Sequence, residues 1–104
     1  MGTWALPQTK KSAEQLAVLM AKPLKANQAE DAIYNLLGDD ELSDNICEQI
    51  KTDGSNSDAR CLIAARLEDF LNDYAEHPES FSEAWNPAAL KICRRIVNNF
   101  FAQN

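Results

Sequence analysis

Large apolar side chains recur along this chain at three- and four-residue steps, and nowhere do they alternate with polar ones for long enough to make a strand. The longest unbroken period is SDARCLIAARLEDFLNDYA, residues 57–75. Leu62, Ile63, Arg66, Leu67, Phe70, Leu71 and Tyr74 fall on one stripe there, with Arg66 and Asp69 at its edges. A stripe that wide needs cover, and only 29–50 and 88–101 are apolar enough to supply it. Residues 57–75 are therefore expected to form the central helix, capped by Ser57 with Asp58 complementing its dipole.

The other elements follow from cap and break signals. Ser12 with Gln15 reads as a capping box opening a helix to Ala21, with Leu16, Leu19 and Met20 inward and Pro23 stopping it. Asn27 with Glu30 reads as a second box, starting a helix that carries Ala29, Ile33, Leu36 and Leu37 and ends at Gly38. Asp39 or Asp40 caps the next, where Leu42, Ile46 and Ile50 repeat every four residues until Gly54. After Pro78, one short turn from Ser80 or Ser82 delivers Phe81 and Trp85 to the core. Asn86-Pro87 then opens the last helix, 88–102, whose inward residues are Leu90, Cys93, Ile96, Val97 and Phe100. The expected fold is all-α: a single-domain irregular antiparallel bundle of about five helices over 12–104, with 1–11 as an N-terminal arm. Trp4 and Leu6 are the large apolar groups of that arm. Trp4 is read either as a plug for one end of the bundle or as an exposed partner anchor.

At 104 residues, with 45% hydrophobic and 25% charged side chains, one modest core is the natural outcome. No apolar run approaches the length of a membrane span and no signal-peptide layout opens the chain, so a cytoplasmic location is expected. Cys47, Cys61 and Cys93 match no zinc spacing and fall within helical apolar periods. They are read as buried reduced thiols, a Cys47–Cys61 disulfide being the alternative for an exported protein.

Charge changes the picture more. The net charge is −6, which argues against nucleic acid or an anionic membrane as partner. Between Ala26 and Ile50 there is no Lys or Arg, but seven acids: Glu30, Asp31, Asp39, Asp40, Glu41, Asp44 and Glu48. A second acidic cluster, from Glu68 to Glu83, follows on the exposed side of the central helix and the loop after it. The bases gather at the two ends, as Lys10, Lys11, Lys22 and Lys25 in front and Lys91, Arg94 and Arg95 behind. Acids at helix N-termini serve the dipole and solubility. Two helices without a compensating base also suit a surface that captures a basic protein. The expected partner-binding residues are Asp39, Asp40, Glu41, Asp44 and Glu48, with Tyr34 beside them and Trp4 on the arm.

Catalytic chemistry finds little to stand on. His77 is the single histidine and lies between Glu76 and Pro78 in a loop, a poor seat for a hydrolytic triad. The Asp39–Asp44 acids lack the alternation and central glycine of a calcium loop, and no Glu-x-x-His element marks a carboxylate metal site. Isolated glycines exclude a phosphate-cradling loop. The protein is read as non-enzymatic, with no cofactor, no metal and no catalytic residues.

The opening Met1-Gly2-Thr3-Trp4 resembles a family of small bacterial proteins of unknown function that typically begin Met-Gly-Thr-Trp-Gly or Met-Gly-Ala-Trp-Gly. Here Ala5 stands at the usual glycine, and Pro7-Gln8-Thr9-Lys10 replaces the Phe-Asp-Asn-Asp run that follows. The resemblance implies a bacterial cytoplasmic protein with a native N-terminus. It would make Trp4 a shared feature of the arm, and it lends no active site. The leading expectation is a small acidic helical protein that binds a basic partner, such as a toxin-immunity or inhibitor protein. Alternatives are a homodimeric assembly protein pairing through Trp4, Trp85 and Phe100-Phe101, and a carboxylate metal enzyme.

Overall fold

Thr9, not Ser12, opens the first helix. Its hydroxyl accepts from the Ser12 N–H at 3.0 Å, so α1 spans Lys10–Met20 and reaches two residues into the segment expected as arm. This computed structural model describes residues 7, 9–37, 39–80 and 85–102. Trp4, Leu6, Gly38, Phe81 and Ser82 lie outside them, so the expected end plug, the glycine C-cap and the delivery of Phe81 do too.

α2 spans Ala26–Ala32 and continues through a wider i→i+5 turn, Ile33–Leu37. Lys25 precedes it without a side-chain cap, so the expected Asn27 box does not form. α3, Asp40–Asp53, is capped by Asp39 as expected, and Gly54 ends it at φ 98°, a backbone conformation open to glycine and strained for other residues. α4 spans Arg60–Glu76, and α5 spans Pro87–Ala102. Asn86 Oδ1 accepts from the Ala88 and Ala89 N–H groups, the expected cap with proline at the first helical position. A short 3-10 turn occupies Pro78–Ser80.

α4 starts three residues later than expected because Ser57 and Asp58 are used elsewhere. The Ala26 N–H donates to the Ser57 carbonyl and the Ala59 N–H to the Leu24 carbonyl, each at 2.8 Å. Asp58 Oδ1 accepts from the Leu24 N–H at 3.1 Å, and Gln49 Nε2 reaches Ser57 Oγ at 2.8 Å. The loop before α4 is thus stitched to the loop before α2. Arg60 extends the seam: it grips Asp58 at 2.9 Å and lies 5.3 Å from the centre of the Phe100 ring at the far end of α5.

The helices close a ring. α1 packs on α5, α5 on α4, α4 on α3, α3 on α2, and the wide turn after α2 returns to α1. Inside lie Leu16, Ile33, Leu42, Ile46, Ile63, Phe70, Cys93 and Val97, each at most 2% exposed. α4 sits between α3 and α5, the two segments expected to cover it. At the start of α5, Trp85 packs edge-on against Phe70 with centroids 5.3 Å apart. Its N–H donates to the Tyr74 hydroxyl, and its indole Nε1 donates to the carbonyl of buried Pro7 at 3.2 Å. That last bond places the starts of α1 and α5 side by side, and Leu24 after α1 and Phe100 at the end of α5 both lie against the start of α4. α1 and α5 therefore run in the same direction, unlike the antiparallel order expected, while α4 runs against both. The radius of gyration, 13.1 Å, matches the roughly 13 Å of a compact domain this size.

Candidate functional site

The expected acidic site divides in two. Asp39 is 3% exposed and belongs to the fold. One oxygen accepts from the Leu42 N–H at 3.2 Å, capping α3, and the other accepts from Arg66 Nε at 2.7 Å. Arg66 also reaches Glu41 at 3.1 Å. Burial works against the guanidinium's charge, but its bonds to Asp39 and the nearby Glu41 outweigh that and hold its pKa above the ordinary value. Asp39 is therefore withdrawn from the displayed surface. The base that residues 26–50 lack in sequence arrives from the edge of the α4 stripe.

Asp40, Asp44 and Glu48 remain outside, all exposed. They follow at four-residue steps, each two positions before Leu42, Ile46 and Ile50, which puts them about 200° round the helix from the core row. The row is about 12 Å long. Glu41 shares this side, 60% exposed beyond its contact with Arg66. Lys51 approaches Glu48 at 3.5 Å, an exposed pair of little energetic weight. Tyr34, on the wide turn after α2, is 87% exposed. Single i→i+5 turns inside helices are frequent at functional sites. Trp4 lies outside the described residues, so its anchor role has no geometry.

The thiols differ from one another. Cys93 is buried, and that burial pushes its pKa up to about 12. Cys47 is half-buried and donates to Glu30 at 3.7 Å; burial and that carboxylate both raise its pKa, the opposite of nucleophile activation. Cys61 is exposed, which corrects the expectation that all three are buried. It shares its helical phase with Ala65, Asp69 and Asn72, all exposed, on the solvent side of α4. All three are free. His77 is exposed, 3.7 Å from Glu79. Among the described residues no three His, Cys, Asp or Glu side chains gather to hold a metal ion, and no helix is long and apolar enough to cross a membrane.

The packing of α1 on α5 brings the two basic ends of the chain together as a groove of about 680 Å³. Lys10 enters from α1, and Lys91 and Arg95 from α5. The clustering of bases at both ends was the signal, but nothing local said that these ends meet.

No protein-family model, no curated protein and no solved structure matches the chain. The Met1–Trp4 opening that carries the family resemblance lies outside the described residues. What remains to define function is the surface.

Proposed function

We propose that this is a small, non-enzymatic, cytoplasmic helical protein that binds a basic protein partner through the outer face of α3, with Tyr34 as an aromatic anchor beside it. A toxin-immunity or inhibitor protein is the most concrete version, by analogy of class. The observation that carries the reading is the continuous exposed row Asp40, Asp44 and Glu48, set on a helix whose opposite face is locked into the core. A rigid row of like charges steers an oppositely charged protein and fixes its register, at some cost in self-repulsion. Three free thiols suit a reducing compartment.

The test is capture from the source lysate at low and then moderate salt, followed by titration of each captured protein against the wild type and an Asp40→Lys/Asp44→Lys variant. A basic partner bound at least about tenfold more weakly by the variant, with a shallower salt dependence, supports the reading. Unchanged affinity and salt dependence for every partner refutes it. The homodimer alternative keeps one observation in its favour, Phe101 at 39% exposure beside buried Phe100. Trp85 is half-buried and engaged with Phe70, Tyr74 and Pro7. Light scattering that finds a monomer at all concentrations removes that alternative.

A further inference from the structure

The groove between α1 and α5 is built from two facing stripes. α1 contributes Lys10, Glu14, Ala17 and Val18; α5 contributes Ala88, Lys91, Ile92 and Arg95. The spacing on each is helical, so the groove runs along both helices for about three turns, roughly 16 Å. It exists because Ala17 and Ala88 leave open the space that larger side chains would fill. Ile96 and Phe100 lie beneath it, 6% and 9% exposed, and Val18 stands on its lip at 66%. An exposed valine continuous with core side chains makes the floor apolar.

The rim carries three bases, Lys10, Lys91 and Arg95, against one acid, Glu14, in a chain of net charge −6. Among the described residues none of the three bases is within ion-pair distance of a carboxylate. Lys10 and Lys11 open α1, whose first turn has no acid, the end of a helix where its dipole disfavours cations. Helix stability therefore does not account for their position. In the ring of helices α3 is separated from the groove by α4 on one side and by α2 with its wide turn on the other.

We propose that this groove docks an acidic amphipathic helix of a partner protein, its apolar row on Ala17, Val18 and Ile92 and its carboxylates on Lys10, Lys91 and Arg95. Two parallel ridges with an apolar floor suit the helix-in-groove mode, read by anchors at three- and four-residue steps. Charge decides the occupant: the rim calls for carboxylates, and the floor calls for large apolar side chains on the same element. A second copy offers its acids on α3 and on the outer side of α4, but among the described residues neither helix exposes a large apolar side chain to fill the floor. A flat anionic bilayer does not enter a groove between helices and would meet Glu14 and a negatively charged protein. This surface is separate from the acidic face proposed above and stands or falls without it.

The probe is a fluorescent synthetic helix with leucines at three- and four-residue steps flanked by glutamates, titrated by anisotropy against the full chain. Its counterpart has lysine at every glutamate. The acidic helix is expected to bind and the basic one not. Lys91→Glu/Arg95→Glu and, separately, Val18→Asp are expected to weaken binding at least about tenfold, while Asp40→Lys/Asp44→Lys leaves it intact. All these positions are on the surface, and circular dichroism verifies that each variant is folded. Equal binding of the two helices, or no binding of the acidic one, overturns the proposal. So does co-sedimentation with phosphatidylserine vesicles that the Lys91/Arg95 double variant abolishes, which would assign the groove to a lipid surface. Self-association in light scattering abolished by the same variant would overturn it in favour of a second copy.

Discussion

Arg66→Ala is expected to cost about 3 kcal/mol of stability, although it removes a charged side chain from a helix surface. Arg66 is 15% exposed and Asp39 only 3%, with 2.7 Å between guanidinium nitrogen and carboxylate oxygen. Removing one member of a buried pair costs about 3–5 kcal/mol, because the other charge is left out of water without its partner. The lower end applies here, since Asp39 keeps the Leu42 N–H. A domain of this size has about 5–15 kcal/mol in all, so the loss is a large fraction and lowers the melting temperature by about 15 °C. Urea unfolding followed by circular dichroism measures it, with the midpoint moving and the slope unchanged. Glu41→Ala, at a site 60% exposed, is the internal control and costs about 0.5 kcal/mol or less. An Asp39→Asn/Arg66→Met chain, with both charges gone, is expected to be more stable than Arg66→Ala alone. A loss below about 1 kcal/mol for Arg66→Ala, or a double variant no better than the single, would refute the buried-pair reasoning.

Two further outcomes follow from the same contacts. Burial opposes the charge of Asp58, but the bonds from Arg60 and from the Leu24 and Arg60 N–H groups outweigh it and hold its pKa below the ordinary value. With the folded pKa below the unfolded one, the stabilisation is complete above the unfolded carboxylate value, about 3.9, and is lost as pH falls through the folded value. Asp58→Ala should therefore cost about 1 kcal/mol near neutrality, because it removes the acceptor of the Leu24 and Arg60 N–H groups at a site 38% exposed and so partly screened, and denaturation curves of variant and wild type should converge in strong acid. Thiol chemistry should be ordered by exposure: Cys61 reacts first with an aromatic disulfide reagent, and Cys93, with its pKa near 12, reacts only on unfolding. Fast labelling of Cys93 in the native protein would contradict its place in the core.

Most of the fold is legible because helix periodicity and break signals are local properties. The core row of α3, the Asp39 and Asn86 caps, the end of α3 at Gly54 and the stripe of α4 all follow from spacing along a few turns. The misplaced starts have a common cause. Ser12, Asn27 and Ser57 are good cap residues by chemistry, but which hydroxyl or carboxylate caps a helix depends on which backbone N–H groups the neighbouring segments leave unsatisfied. Ser57 and Asp58 went to the loop before α2, and Thr9 was in place ahead of Ser12. The acidic site was half legible for the same reason. Asp40, Asp44 and Glu48 are exposed by helical phase alone, whereas Asp39 is neutralised by a base 27 residues away in the chain.

By itself the sequence determined that this is an all-helical chain with one apolar stripe per helix and an acidic middle, because side-chain size and the 3.6-residue period act over a few residues. Only the tertiary structure decided the pairing of Arg66 with Asp39, the stitching of the two loops, and the meeting of the basic ends of the chain along α1 and α5. Those contacts join residues far apart in sequence, and a helix stripe specifies how much apolar surface must be covered without specifying which other stripe will cover it.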